Sequence, residues 1–398
     1  MAEQSYGPQA RRSLLKLALA GLVALGLGGC QLVPEGSSPP RQVAQPQPMP
    51  EAQPEPDRTV PADTERNRVA VLVPLTGANA GVGRSLANAA NLALLDTGGE
   101  RIRITVYDTA KDGAAAAARQ AVQEGNGLIL GPLLAEDVRA VAPVAAGAGV
   151  PVLSFSNDTS VARDGVYVMG FTPGQSVARV VGFARSRGAV RFAALSPEGV
   201  YGTRASAAFR EAVERSGGRV VAEQGFDRGA GSLRTAVVRL NGAGGYDAVL
   251  IADSGRTAAA AAPLIRGGSS AHILGTELWS NESGLGAAPS LRGAWYAGAS
   301  DTLFDQLRTR YRTRYGATPY RLSSLGYDAV LLAMRVAKDW RPGERFPVSE
   351  LRDRSGFPGI DGLFRFGPDG VIERALEVRE VTAAGTTVVS PAPRRFED

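Results

Sequence analysis

The chain has 398 residues, of which 44% are hydrophobic and 21% charged, with a formal net charge of +5 at pH 7. These values are typical of a soluble globular protein and exclude a multi-span membrane protein and a wholly disordered chain. One cysteine, one histidine and three lysines exclude an intrachain disulfide, a histidine-rich zinc site and a Walker-type phosphate loop. Because no five basic residues occur in a row, we expect no nucleic-acid partner.

The first thirty residues have the pattern of an export signal. Arg11 and Arg12 precede a short apolar run, which ends at Leu27-Gly-Gly-Cys30. This order is typical of a secretory signal, and the run is too short to span a bilayer comfortably. The arginine pair resembles a twin-arginine signal. The last four residues resemble a bacterial lipobox, which implies removal of residues 1–29 and lipidation of Cys30. In such lipoproteins, a residue other than Asp directly after the cysteine usually accompanies an outer-membrane location, and Gln31 is such a residue.

Residues 30–65 follow as a predicted linker. Nine prolines occur between Gln31 and Glu65, separated mainly by polar residues. Such a segment buries too little apolar surface to offset the entropy of ordering it. We therefore predict an extended spacer or stalk between the lipid anchor and a folded body.

The folded body begins with alternating strands and helices. The first group of predicted strands lies at 69–74, 102–107, 128–130, 150–153 and 166–168, with helices at 83–97, 112–124 and 134–147. The pattern restarts after Gly174, with helices at 174–187, 203–216, 231–241 and 256–266 and strands at 191–195, 220–224, 248–251 and 272–274, followed by the segment 295–298. Helices at 301–315 and 321–339 precede a C-terminal hairpin of 364–366 and 375–381.

This alternation predicts an α/β protein with two Rossmann-like lobes, each built on a parallel sheet covered by helices. We predict a first lobe of residues 66–172 with 300–340, a second lobe of 173–299 with 341–390, and a tail of 391–398. Ligands of such sheets bind at the carboxyl ends of the strands. Two lobes therefore predict a cleft between them and closure by a hinge.

Several segments in this order resemble the type I periplasmic binding proteins of the leucine/isoleucine/valine-binding family: Val69–Gly77, Gly131–Leu133, Gly149–Ser156, Gly275–Glu277 and Gly362–Gly370. Within that family, Ile129–Leu134 and Gly170–Pro173 are similar to the corresponding domain of penicillin-binding-protein activator lipoproteins. Those activators contact a peptidoglycan synthase and also carry an N-terminal helical-repeat domain. At that place this chain has the proline-rich linker.

The resemblance implies a ligand site in the cleft. In amino-acid receptors of this family, hydroxyls and backbone N–H groups hold the carboxylate, an acid holds the ammonium and an aromatic ring covers the ligand. Glu277 matches the acid and Tyr201 the covering ring. An arginine-paired loop acid and a ring packed at the hinge are the alternatives. The expected ligand-binding residues are Thr76, Gly77, Ser154, Ser156, Asn157, Thr159, Tyr201 and Glu277.

Two loops qualify this expectation. The loop of residues 154–159 follows a predicted strand and offers hydroxyl, amide and backbone donors, but turn and helix-capping chemistry accounts for the same residues. The loop after Gly131 has Leu133 and Leu134 where amino-acid receptors carry hydroxyls. It also has Glu136 and Asp137, which repel a carboxylate at close range. This departure argues against an amino-acid ligand.

The expected function is that of a non-enzymatic, lipid-anchored envelope lipoprotein facing the periplasm. It is expected to regulate peptidoglycan synthesis, as the penicillin-binding-protein activators do, with a peptidoglycan synthase as its partner. The alternative is the substrate-binding component of an ABC-type importer, with a permease and a small amino-acid-like ligand as partners. The scarcity of His, Cys and Lys removes most nucleophile and base arrangements, so no catalytic residue, metal or cofactor is expected.

Overall fold

The computed structural model describes residues 65–227, 229–282 and 284–396. The predicted signal, Cys30 and almost all of the linker lie outside the described residues. Within the described part, none of the helices has the length and apolar character needed to cross a membrane.

The first lobe is built on a five-stranded parallel sheet with strand order β2-β1-β3-β4-β5. Its elements are β1 (Asn67–Val73), α1 (Ala80–Asp96), β2 (Ile102–Asp108), α2 (Ala114–Gln123), β3 (Leu128–Leu130), α3 (Ala135–Ala148), β4 (Val152–Ser154) and β5 (Val166–Val168). Residues 69–73 of β1 are completely buried. A continuous apolar run suits this central strand, because helices cover both faces of the sheet.

The second lobe contains a seven-stranded sheet, in which two late strands, β14 (Glu377–Thr382) and β15 (Gly385–Ser390), extend one edge to give the order β15-β14-β10-β9-β8-β6-β7. Its first elements are α4 (Pro173–Ser186), β6 (Arg191–Pro197), α5 (Val200–Arg215), β7 (Arg219–Phe226), α6 (Ala230–Gly242), β8 (Ala248–Ile251), α7 (Gly255–Arg266), β9 (His272–Gly275) and β10 (Trp295–Gly298). Strands β6 to β10 are parallel. Two apolar clusters, one on each face of this sheet, form the core of the lobe.

After β10 the chain returns to the first lobe and then leaves it again. The remaining elements are α8 (Thr302–Tyr315), α9 (Ser323–Val336), β11 (Phe357–Gly359), β12 (Gly362–Phe366), β13 (Ile372–Arg374), β14 (Glu377–Thr382) and β15 (Gly385–Ser390). Helices α8 and α9 contribute side chains to the core that α1 shares with β1. Strand β14 pairs antiparallel with β10 and completes the second sheet with β15. The chain therefore passes between the lobes three times.

The C-terminal part differs from the expected division. The sequence pattern predicts residues 341–390 in the second lobe, but Phe357, Phe364 and Phe366 are buried in the core of the first. Only β14 and β15 join the second sheet. The expected hairpin partner of 364–366 was 375–381, whereas β12 pairs with β13. A short turn after β12 lets that strand pair with β13, the strand that directly follows it. The sequence pattern does not show which lobe buries the three phenylalanines.

In each lobe, the helix that follows the first strand packs very closely against the end of that strand. A Cβ atom on Gly83 in α1 would lie 1.8 Å from the carbonyl oxygen of Pro74. A Cβ on Gly202 in α5 would lie 1.7 Å from the carbonyl oxygen of Pro197. Only glycine fits at these two positions without a backbone shift. The two contacts fix the helices whose N-termini follow β1 and β6.

Candidate functional site

A cavity of about 380 Å³ lies between the lobes. This volume is within the range of about 300–1,000 Å³ that small-molecule sites occupy. Both lobes contribute to its wall, which consists of Asn79, Val82, Leu133, Leu134, Phe155, Asn157, Phe171, Glu277, Leu278, Ser280, Ala299, Arg321 and Leu322. The wall is mostly apolar, with a carboxylate from the second lobe and a guanidinium from the first.

Glu277 follows β9 and provides the carboxylate of the second lobe. Its Oε1 accepts a hydrogen bond of 3.0 Å from the hydroxyl of Tyr201, and its Oε2 accepts one from Ser176. Burial raises the pKa of Glu277, although both hydroxyls favour its ionised form. Within the described residues, no cationic side chain forms an ion pair with it. A buried carboxylate without a cation is costly, and a cationic group bound in the cavity would offset that cost.

Tyr201 lies in the first turn of α5 and acts on this carboxylate. Its hydroxyl is 3.0 Å from both Thr276 Oγ1 and Glu277 Oε1. Burial, and then the charge of Glu277, raise the pKa of Tyr201, so it stays a neutral donor. The ring packs against the core of the second lobe and is not part of the cavity wall. Tyr201 therefore positions Glu277 in this structure, where the resemblance implied a covering ring.

The loop after β4 uses most of its hydroxyls internally. Ser154 Oγ donates to the carbonyl of Pro132 at 3.2 Å and accepts from the N–H of Ser156 at 3.0 Å. Ser156 Oγ accepts from the N–H of Asp158 at 3.1 Å. Asn157 lies on the cavity wall, whereas Thr159 is exposed in a single 3₁₀ turn. Of these four predicted residues, the structure brings only Asn157 to the cavity.

The predicted residues at the end of β1 also lie off the cavity wall. Thr76 is exposed, and its hydroxyl donates to Asp108 Oδ2 at 2.9 Å. Gly77 is exposed and has a φ of 73°, a conformation that glycine adopts without strain. In this structure the two residues form the turn that leads into α1. The apolar side chains of Leu133 and Leu134 line the cavity near the start of α3.

Sequence reasoning missed Arg321, which brings a positive charge to the cavity wall. Its side chain is 14% exposed, and its Nη1 is 2.5 Å from Asp361 Oδ1. The guanidinium carbon lies 4.2 Å from the ring centre of Phe304. The available signal was its place just before α9, a helix buried along most of its length, where a charged residue needs a partner. Forty other arginines in the chain obscured that signal.

A buried cluster of charges lies behind Arg321. The side chains of Arg374, Asp328 and Asp361 are fully buried, and Arg374 Nη1 is 3.7 Å from Asp328 Oδ2. Burial, and then the neighbouring Asp361 carboxylate, raise the pKa of Asp328 well above its usual range. The cluster therefore places Arg321 and Arg374 against two buried carboxylates, of which Asp328 resists ionisation.

An ion pair connects the two lobes at one side of the cleft. Asp158 of the first lobe lies 2.5 Å from Arg204 Nη2 in α5 and 2.9 Å from Arg139 Nη2 in α3. Burial opposes ionisation of Asp158, but hydrogen bonds from Ser160 and Arg204 outweigh it and lower its pKa to about 2. The carboxylate is therefore ionised at neutral pH and joins α5 to the first lobe.

The described residues contain no group of three or more His, Cys, Asp or Glu side chains placed to hold a metal ion. The polar groups of the cavity suit hydrogen bonding and charge pairing with a small organic molecule.

A family model described as periplasmic binding protein matches residues 67–386. The chain belongs to the type I periplasmic binding protein family. The matched residues cover both lobes and end within β15.

Solved structures with the same fold include periplasmic binding proteins of transport systems. One from Rhodospirillum rubrum, named for branched-chain amino acid ABC transport, has a TM-score of 0.73 and 23% identity and covers 81% of this chain and 100% of its own. An ABC transporter substrate-binding protein from Desulfitobacterium hafniense, in complex with Leu, has a TM-score of 0.62 and 16% identity and covers 82% and 100%. At these identities the likeness shows the fold alone.

One sequence relative is named as an activator of a penicillin-binding protein. The penicillin-binding protein activator LpoA of Serratia proteamaculans is 26% identical, over 69% of this chain and 45% of that protein. The chain therefore matches less than half of the activator's length.

Proposed function

We propose that this chain is a non-enzymatic envelope lipoprotein that regulates a peptidoglycan synthase through its periplasmic-binding domain. The observation that carries the proposal is the 26% identity to a penicillin-binding protein activator over 69% of this chain. The lipobox-like Leu27–Cys30 supports it, since a lipid anchor holds a regulator at a membrane. The proline-rich segment to Glu65 then serves as the stalk, and the outer membrane is the proposed site of the anchor.

The geometry of the cleft supports a role other than ordinary amino-acid capture. Ser154 and Ser156, proposed from the resemblance to hold a ligand carboxylate, use their hydroxyls within the first lobe. Thr76 pairs with Asp108, and Leu133 and Leu134 present alkyl groups to the cavity. An amino-acid receptor of the expected kind loses its hydroxyl-based carboxylate site under this arrangement.

The test is recovery of the partner from cells. The full-length, tagged lipoprotein is cross-linked in the envelope, purified and compared with a Cys30→Ser variant that lacks the lipidated thiol. We expect a peptidoglycan synthase to be enriched with the wild-type protein and reduced with Cys30→Ser. Recovery of an ABC permease in place of a synthase would contradict the proposal. Acceleration of glycan polymerisation when the purified lipoprotein is added to that synthase provides the functional measurement.

The second candidate function is that of an ABC-importer receptor for a small amino-acid-like ligand. Glu277 favours it, because a buried carboxylate without an ion pair among the described residues faces a cavity of ligand size. A receptor closes around its ligand by a hinge. We expect a smaller radius of gyration by small-angle scattering at saturating ligand, and an unchanged radius with every amino acid counts against this function.

A further inference from the structure

The two lobes meet through an ion pair at one side of the cleft. Asp158 lies in the loop after β4 of the first lobe, and Arg204 lies near the start of α5 in the second. Arg204 Nη2 is 2.5 Å from Asp158 Oδ1, and the two side chains are 27% and 11% exposed. Salt screens such a partly buried pair less than it screens an exposed one. The contact consists of protein groups alone, so it forms without a ligand.

The first lobe holds the carboxylate of Asp158 in position for this contact. Its Oδ1 accepts a hydrogen bond of 2.8 Å from the N–H of Ser160, and its Oδ2 accepts one of 2.9 Å from Arg139 Nη2 in α3. Both contacts lie within the first lobe, so neither depends on the position of the second. A carboxylate that is already oriented loses little further conformational entropy when Arg204 reaches it. The pair therefore differs from one between two freely rotating surface side chains.

Helix α5 connects this contact to the body of the second lobe. Ala205 and Phe209 of α5 are completely buried in the core of that lobe. Tyr201 and Arg204 are three residues apart and are therefore neighbours on one side of the helix. The hydroxyl of Tyr201 donates to Glu277 Oε1 on the cavity wall at 3.0 Å. A restraint on Arg204 is thus a restraint on the packed lobe and its part of the cavity wall.

We propose that the ion pair between Asp158 and Arg204 is a latch that keeps the interlobe cleft closed without a ligand. The chain crosses between the lobes after β5, β10 and β13, and the pair lies at none of these hinge positions. Opening of the cleft about the hinge therefore separates the two side chains. A latched cleft admits a ligand only through its open fraction, which lowers the apparent affinity for ligands. The closed surface is then the one that a partner protein meets, whichever partner that is.

The experiment measures the distance between the lobes in the detergent-solubilised full chain by pulsed electron paramagnetic resonance. Spin labels are attached at Lys111→Cys in the first lobe and Val200→Cys in the second, both exposed positions that follow strand ends. The single variant Lys111→Cys shows whether Cys30 carries any label. With the native ion pair and no added ligand, we expect one short distance. In Arg204→Gln, we expect a second, longer distance and an open-to-closed ratio raised about fivefold, which corresponds to about 1 kcal/mol.

Matched variants separate the latch from a general loss of charge. Arg139→Gln removes the partner of Asp158 within the first lobe, and Arg210→Gln removes an exposed pair between α5 and Glu223 within the second. We expect both to keep the short distance. Asp158→Asn is expected to open the cleft as Arg204→Gln does, and the double variant is expected to open it no further, because both changes break one contact. Thermal unfolding checks that each variant is folded.

Any of three results would overturn the latch: a long distance with the native ion pair, an unchanged distance in both Arg204→Gln and Asp158→Asn, or equal lengthening in Arg210→Gln. The inference concerns closure alone, so recovery of a synthase by cross-linking neither supports nor opposes it. It does oppose the ligand-driven closure of the second candidate function, because a latched cleft shows no decrease in radius of gyration when an amino acid is added.

Discussion

In the first lobe, the charges behind the cavity occur with opposite partners: Arg321 pairs with Asp361, and Arg374 faces Asp328. In the second lobe, the side-chain partners of Glu277 among the described residues are the hydroxyls of Ser176 and Tyr201. Hydroxyl groups reduce the cost of burying a carboxylate but do not neutralise it. The charged groups of the first lobe thus have opposite charges beside them, whereas the described residues place no cation against the carboxylate of Glu277.

The largest expected effect comes from unbalancing the first lobe. Arg374→Met leaves Asp328 and Asp361 buried without their fully buried cation, which we expect to lower the free energy of unfolding by about 3–5 kcal/mol. Urea denaturation at pH 7.5 measures it. Arg335→Met, which removes an exposed ion pair with Asp353, is the control and is expected to cost less than about 1 kcal/mol. Equal losses in the two variants would show that the buried cluster contributes no more than a surface pair.

The second prediction tests the feature that the lobes share. Gly83→Ala and Gly202→Ala each force a methyl group onto a proline carbonyl oxygen, and we expect each to destabilise the protein by about 1–3 kcal/mol. Gly182→Ala is the matched control, since its Cβ in α4 meets nothing within 4 Å and alanine favours a helix. Thermal unfolding reports the result. A large cost in one lobe only would show that the two strand–helix junctions differ in rigidity.

The third prediction removes the unbalanced charge of the second lobe. Glu277→Gln keeps the shape of the side chain, and we expect it to raise the free energy of unfolding by about 1 kcal/mol at pH 7.5. The native pKa of Glu277 is raised, so the native state binds more protons than the unfolded state above about pH 4. The stabilisation by Glu277→Gln should therefore grow as pH rises from 4. Urea titrations from pH 4 to 8 check this, and a variant less stable than wild type throughout would contradict it.

The smallest effect concerns the ion pair that joins the lobes. Asp158→Asn is expected to cost about 1 kcal/mol at pH 6, because it removes the pairs with Arg204 and Arg139. The native pKa of Asp158 is lowered to about 2, so its contribution is complete above about pH 4 and declines as pH falls towards 2. Thermal unfolding from pH 6 to 2.5 follows the decline. A constant difference over that range would mean that ionisation of Asp158 contributes nothing.

The sequence predicts the regular part of the fold closely. Alternating apolar runs and amphipathic helices locate β1, α1 and their successors because each buried strand is continuous and each helix has one apolar face. It fails after α9. The strands β11 to β13 are three to five residues long, and three of the six residues of β15 are exposed, so none of these strands has a distinctive pattern. Which lobe receives them depends on tertiary packing.

The site is predictable only in part, for a related reason. Glu277 and Asn157 follow strand ends, and local topology alone places them at the cleft. The hydroxyls of Ser154 and Ser156 follow the same strand end but bond within their own loop, which competes with any outward role. Arg321 reaches the cavity from a segment 167 residues after Ser154, and no local pattern links the two.

The late return of the chain to the second sheet affects how the protein is made. β10 ends at Gly298, and its neighbour β14 begins at Glu377, after the chain has built α8, α9 and the small sheet of the first lobe. During synthesis, therefore, the edge of β10 stays open while nearly eighty further residues are added. An open strand edge is a template for pairing with other chains. A chain cut short within α9 would leave that edge of β10 without its partner strand.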